Sequence, residues 1–247
     1  MLQEERKNII LQQINLHNKV LSNDLCILLN VSLDTVRRDL TELENNGKLI
    51  KVHGGAISKT FNQPFQQAAV YAQGKKIEIA KKALSLIQNG MSILTGGGTI
   101  MLELARMIPE ELKGTFFTVS PLVALEVAQR SGIDVILLAG QLAPNSYICT
   151  GSSIISQLSE IEADICFLGA NSLSPQKGLS DYDWEIVQVK KALIRSSKKI
   201  ALMSIAEKLN TDQKLQICKL SAIDVLITEL EPDNEKLLAY SERVRLL

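Results

Sequence analysis

Arg37 and Arg38 stand side by side in the run Ser32-Leu33-Asp34-Thr35-Val36-Arg37-Arg38-Asp39-Leu40. A guanidinium can fork onto a guanine edge or clamp a phosphate oxygen, so this pair is a candidate for duplex DNA. Thr35 precedes Arg38 by three residues, and Lys48, Lys51 and His53 follow in Lys48-Leu49-Ile50-Lys51-Val52-His53, a spacing that suits contacts along a phosphate backbone. A second kind of chemistry is available in Thr95-Gly96-Gly97-Gly98-Thr99. Successive glycines bare several backbone N–H groups and Thr99 adds a hydroxyl, which together can hold a phosphate or carboxylate. The loop lacks the Gly-Lys-Ser or Gly-Lys-Thr of a P-loop and the spacing of a dinucleotide fingerprint. Each segment also has a plainer reading: the arginines can lie on an ordinary solvated helix, and the glycines can make a tight structural turn.

The arginines need a helix to present them. Leu33, Val36, Leu40 and Leu43 are spaced three, four and three apart, which predicts a helix capped by Ser32 with those residues packed inward. Asp34, Thr35, Arg38, Thr41 and Glu42 then face outward and Arg37 lies on a flank, so that Thr35 and Arg38 reach a major groove. Upstream, Gln3 to Leu16 carries Ile9, Ile10 and Ile14 on an amphipathic stripe, followed by a break at Asn18-Lys19. Ser22 is expected to cap a second short helix bearing Leu25, Leu28 and Leu29, and Asn30-Val31 makes the tight turn of a helix-turn-helix. Asn46-Gly47 ends the third helix. Lys48 to Val52 reads as a strand and His53-Gly54-Gly55-Ala56 as a wing, its paired glycines permitting a sharp turn or a close approach.

The glycine loop needs a sheet. Residues 58–74, with Asn62, Pro64 and Gly74, show little periodicity and are expected to link a DNA-binding domain over 1–57 to a larger domain over 75–247. Ser92 to Leu94, Thr115 to Val119, Asp134 to Leu138, Ile165 to Leu168, Ile200 to Met203 and Val225 to Thr228 are short and apolar, as interior parallel strands are. Helical patterns over Ile77 to Ile87, Ile100 to Met107, Leu122 to Ser131 and Trp184 to Ser196 alternate with them. The fold class is therefore α/β, an N-terminal winged helix-turn-helix followed by a mostly parallel sensor domain. Ligands bind beyond the C-terminal ends of such strands, which makes Gly96, Gly97, Gly98, Thr99, Ser120, Gly169 and Lys208 the candidate effector-binding residues. Asp181, Asp183 and Glu185, near Lys190 and Lys191, read as solvated helix-end charges, and Trp184, the sole tryptophan, as core.

Val31 to Leu40, with Leu43-Glu44, Gly47 and Val52-His53-Gly54-Gly55-Ala56, resembles the DNA-binding signature of the DeoR family of bacterial regulators. Leu94 to Thr99, Phe117-Thr118 with Ser120, Leu137 to Gly140, Asp164 to Gly169, Gly178 to Ser180, Glu185 with Val189-Lys190, and Lys208 resemble that family's Rossmann-like sensor, a fold similar to sugar-phosphate isomerases. The resemblance implies a winged helix-turn-helix whose third helix enters an operator's major groove, and an effector that is a phosphorylated sugar or related anionic metabolite. Four positions depart from the family's usual polar site: Thr95 and Ile205 stand where aspartate is common, Val119 for asparagine and Gln141 for glycine. Lys51 replaces an arginine, which keeps the charge and loses the fork.

Whole-chain charge is silent, because 27 basic residues balance 27 acidic ones in 247 residues. The four cysteines and two histidines show no zinc spacing, so neither metal nor cofactor is expected. No signal peptide or membrane-spanning run is apparent, and a cytoplasmic location follows as an expectation. The leading function is a sequence-specific DNA-binding repressor rather than an enzyme. Two alternatives stand beside it: a regulator whose sensor serves only assembly, and a sugar-phosphate isomerase-like enzyme. Two half-sites read together favour a homodimer or homotetramer, for which the tail around Leu237, Leu238, Val244, Leu246 and Leu247 is a possible surface unless it packs within its own subunit.

Overall fold

Apolar stripes at helical spacing build three N-terminal helices, α1 (Gln3–His17), α2 (Ser22–Leu29) and α3 (Leu33–Asn45), around Ile10, Ile14, Leu25, Leu29, Val36, Leu40 and Leu43. The computed structural model describes residues 1–17, 19–58, 71–130, 132–144 and 146–247. Asn18, Ser131 and residues 59–70 of the expected linker lie outside the described residues. The chain divides between Tyr71 and Ala72 into two units.

In the first unit, β1 (Lys19–Leu21), β2 (Leu49–Val52) and β3 (Gly55–Ser58) form an antiparallel sheet in the order β1-β3-β2, the wing of a winged helix-turn-helix. Both uses of the glycine pair occur. Gly54 turns the hairpin at φ +78°, while a Cβ on Gly55 would stand 2.0 Å from the Val20 carbonyl oxygen, so β1 and β3 can meet only at glycine. Ser22 does not cap α2. Its backbone N–H donates to the Gly54 carbonyl at 2.8 Å and the helix starts from Leu21 without a side-chain cap, because β1 delivers the chain already hydrogen-bonded to the wing. Leu28 also departs from expectation: at 53% exposed it lies outside the core, since eight residues turn only one narrow face inward.

The second unit opens with α4 (Gln73–Leu84), then β4 (Ser92–Thr95), α5 (Thr99–Met107), β5 (Gly114–Thr118), α6 (Pro121–Val127) and β6 (Ile133–Leu137). A small antiparallel pair, β7 (Gln141–Ala143) and β8 (Ile148–Thr150), leads to α7 (Ser152–Ser159) and β9 (Ile165–Gly169). After β10 (Ser172–Ser174) and β11 (Gly178–Asp181) come α8 (Trp184–Arg195), β12 (Ile200–Met203), β13 (Leu215–Cys218), β14 (Val225–Ile227), α9 (Leu238–Ser241) and β15 (Arg245–Leu246). Seven strands pair in parallel in the order β15-β14-β12-β9-β4-β5-β6. β10, β11 and β13 form a separate antiparallel sheet.

The central strands β9 and β12 are apolar on both faces because helices cover both, as Ile165 to Leu168 and Ile200 to Met203 are buried. Asp134 to Leu138 was expected to be an interior strand, but β6 lies at the sheet edge, with Ile136 and Leu137 exposed. Trp184 is likewise not core: it opens α8 at 61% exposure. Leu237 and Val244 are buried and β15 pairs with β14, so most of the tail packs within its own subunit.

Candidate functional site

The first unit holds α3 by charge as well as by packing. Asp39 is buried, and the Arg6 guanidinium of α1 grips both its carboxylate oxygens, Nη2 donating to Oδ1 at 2.9 Å and Nε donating to Oδ2. Lys7 pairs with the exposed Glu42 at 2.6 Å, a second tie between α1 and α3. Ser32 caps α3, its Oγ accepting the Thr35 N–H at 3.3 Å while the two hydroxyls lie 2.9 Å apart. Arg37 is exposed 3.5 Å from Asp34, a weak surface pair easily exchanged for a phosphate. Among the described residues no hydrogen bond or ion pair engages the side chains of Arg38, Lys48 or His53, all exposed. Lys51 donates from Nζ to Thr41 Oγ1 and from its backbone N–H to Glu44 Oε1, both at 2.8 Å, joining the wing to the last turns of α3. Thr35, Arg37 and Arg38 thus share the exposed side of α3, with Lys51 fastened beside it and His53 at the hairpin tip.

In the second unit the strand ends bring the glycine loop to Ser120 and Gly169. A Cβ on Gly97 would stand 2.7 Å from Ile148 Cγ1 and 3.2 Å from Ser120 Cβ, and one on Gly169 would lie 3.8 Å from the Gly97 carbonyl oxygen. Gly98, at φ +107°, caps α5 without a side-chain hydrogen bond. Among the described residues no acceptor meets the N–H groups of Gly97, Gly98, Thr99, Ile100 or Met101, which leaves a row of donors at the positive end of the α5 dipole. Ser120 is buried and caps α6, its Oγ accepting the Val123 N–H at 3.5 Å.

Two lysines close on the end of β9. Lys190 donates to the Gly169 carbonyl at 3.1 Å and to Asp181 Oδ2 at 3.0 Å, and Lys208 donates to the Ala170 carbonyl at 2.9 Å. Asp181 also accepts from Asn171 Nδ2 at 3.0 Å and from the Tyr182 N–H at 2.8 Å. Asp181 is therefore a buried, fully engaged carboxylate rather than a solvated helix-end charge; Asp183, which caps α8, fits that description. Burial alone would raise Asp181, but the Lys190 ammonium and these hydrogen bonds hold it below the ordinary carboxylate value. Lys208 is pulled down to about 7, first by burial and then by repulsion from Lys76 and Lys190, with Asp181 opposing.

Residues 6–61 match the profile described as DeoR-like helix-turn-helix domain, and residues 72–230 match DeoR C terminal sensor domain. The chain belongs to the DeoR family. Among its DeoR-like relatives, the HTH-type transcriptional regulator GolR of Listeria innocua is 29% identical over 91% of this chain and 90% of its own. The HTH-type transcriptional repressor GlcR of Bacillus subtilis is 31% identical over 94% and 91%. The glycerol-3-phosphate regulon repressor of Escherichia coli K12 is 25% identical over 94% and 93%. As a DeoR-family member the chain is a DNA-binding transcriptional regulator with a winged helix-turn-helix and a sensor domain.

Of the four positions where the resemblance to the family would place other residues, three are buried and Gln141 is exposed. Thr95 is buried and donates to Thr118 Oγ1 at 2.9 Å, and Val119 and Ile205 are core residues. Among the described residues no group of three or more His, Cys, Asp or Glu could hold a metal ion, and no helix is long and apolar enough to cross a membrane. Sequence reasoning missed the roles of Asp181 and Lys190, and also Gly151, which starts α7 at φ +101° beside the same edge, where the Cys149 N–H donates to Val119. A glycine placed between Thr150 and Ser152 repeats the Gly98-Thr99 junction and was the one available signal.

Proposed function

We propose that this regulator is a repressor of genes for carbohydrate or related metabolism, and that a phosphorylated sugar or similar anion sets its affinity for operator DNA. The observation that carries this reading is the row of unmet N–H groups from Gly97 to Met101 facing a sheet edge that also bears Lys208 and Lys190. Gly96, Gly97, Gly98, Thr99, Ser120, Gly169 and Lys208 form the effector site in this account. The names of the relatives support the class, since one represses a glycerol-3-phosphate regulon. For DNA, Thr35 and Arg38 reach base edges, while Ser32, Arg37, Lys48, Lys51 and His53 hold phosphates. A homodimer or homotetramer presents two reading heads to two half-sites. The effector acts only through different affinities for the DNA-competent and incompetent states.

Calorimetry of the full chain against sugar phosphates and their uncharged sugars tests the effector site. The phosphates should bind and the sugars should not, and Gly97→Asp should abolish binding, because its side chain collides with Ile148 and adds a negative charge at the loop. Equal binding of charged and uncharged ligands would remove the phosphate assignment. Binding of none of these ligands would leave the sensor an assembly module, and binding without any change in operator affinity would remove the regulatory role of the pocket.

A further inference from the structure

Asp34, the second residue of α3, puts a negative charge on the helix that meets a polyanion. The buried residues Val36, Asp39, Leu40 and Leu43 fix which side of α3 faces the core. At about 100° per residue, Asp34, Arg38, Thr41 and Asn45 fall within about 30° of the opposite direction, whereas Thr35 and Arg37 stand to either side. Asp34 and Arg38 are therefore the outermost side chains in the N-terminal half of α3, the half that meets base edges in a helix-turn-helix. Exposure agrees with this placement. The Asp34 side chain is 76% exposed and Arg38 is exposed, while Thr35 is half-buried with its hydroxyl 2.9 Å from that of Ser32. Among the described residues the Asp34 carboxylate meets only Arg37, at 3.5 Å, a weak surface pair that is given up once Arg37 takes a phosphate.

A carboxylate so placed has few partners in a major groove. Phosphates repel it, and so do the acceptors of guanine, adenine N7 and thymine O4; the donors are the exocyclic amines of cytosine and adenine. In an A·T pair the amine lies between two acceptors, whereas in a G·C pair it lies at the outer end of the pattern, which favours cytosine N4. We propose that Asp34 is a specificity-determining residue that accepts a hydrogen bond from cytosine N4 at one position of each half-site and excludes guanine and thymine there by repulsion. This rests on α3 being the helix that enters the major groove. Asp34 lies about 6 Å along the helix from Arg38, close to two base-pair steps, so the cytosine stands about two steps from the base that Arg38 contacts. An acid that only balanced the helix dipole would give no base preference.

The test uses the full chain, Asp34→Asn, Asp34→Ala and Arg38→Ala, each selecting from a randomised duplex pool at fixed salt. Selected duplexes are then changed one base pair at a time and measured by fluorescence anisotropy. The wild type should select cytosine at one position of each half-site and lose about 5- to 150-fold in affinity when that base pair alone is changed, the range of one good base contact. Asp34→Asn should turn that preference to adenine, whose N6 and N7 a carboxamide meets together, and Asp34→Ala should flatten it, with the other positions unchanged. Asp34→Ala should also bind a scrambled duplex more tightly than the wild type, because a charge of the DNA's own sign is gone. Unchanged base preferences in both Asp34 variants, a preference lost at every position at once, or a wild type that selects any base other than cytosine where Asp34→Ala is indifferent would each overturn the proposal. A wild type that selects no sequence would remove base reading by α3 itself, whereas a preference lost in Arg38→Ala and in neither Asp34 variant would remove only the role of Asp34.

Discussion

Lys208 works against its surroundings, and that conflict is measurable. Its folded pKa, about 7, lies below the ordinary 10.5, so the charge destabilises the folded state fully below about pH 7 and progressively less as pH rises toward 10.5. Any melting-temperature advantage of Lys208→Met should therefore be greatest near pH 6 and shrink by pH 9, in scans without anion; a difference that does not change with pH would show that Lys208 titrates normally. The same sign governs ligand: from pH 7 to 9 phosphate affinity should fall by up to about tenfold per unit, as binding must supply the missing proton. Lys208 could be singled out in the sequence because it follows an apolar strand, where open sheets bind ligands. Lys76 could not. Nothing in Gly74-Lys75-Lys76-Ile77 separates it from Lys75, which is partly exposed and paired with Glu207; only the fold shows that the second lysine is the buried one.

At the scale of elements, α3 depends on its anchor to α1. Breaking a buried ion pair by removing one partner costs about 3–5 kcal/mol, and Asp39 is only 2% exposed in its pair with Arg6. Asp39→Ala should destabilise the first unit by about that amount in chemical denaturation and weaken DNA binding, while leaving phosphate binding to the second unit intact. Equal loss in both functions would mean a general folding defect instead. Asp39 was hidden in the sequence because it sits between the outward Arg38 and the inward Leu40, where periodicity alone does not say which way it turns. The long elements were legible: α3 from its three-four-three leucine and valine spacing, and β9 and β12 from unbroken apolar runs. β1 was not, since Lys19–Leu21 is only three residues long and is created by pairing with β3 rather than by its own composition. β6 shows the complementary failure, because an apolar run does not say whether its outer edge is covered by another strand or by another subunit.

At the scale of the whole molecule, that edge bears on assembly. Ile136 and Leu137 are 42% and 39% exposed on β6, and Leu125 on α6 is 62% exposed, whereas most of the tail is committed to its own subunit. Light scattering should find a homodimer or homotetramer at micromolar concentration, and Leu137→Lys should shift it toward the monomer, since a charge on an open edge opposes strand-to-strand contact. A monomer both free and on DNA would contradict this assembly. For DNA itself, replacing Arg38 should cost about 1–3 kcal/mol and reduce discrimination, as expected for a base-edge contact, whereas Lys51→Met should weaken cognate and unrelated duplexes alike.

These strands of argument meet in one titration. Fluorescence anisotropy at fixed salt, with the full chain and a labelled duplex from the region preceding its own gene, is compared with a scrambled duplex, each with and without sugar phosphates and their uncharged counterparts. The account predicts selective binding of the upstream duplex, changed severalfold or more by at least one phosphate and by none of the uncharged sugars, with that response lost in Gly97→Asp. Equal affinity for both duplexes, or selective binding that no phosphorylated ligand alters, would contradict it.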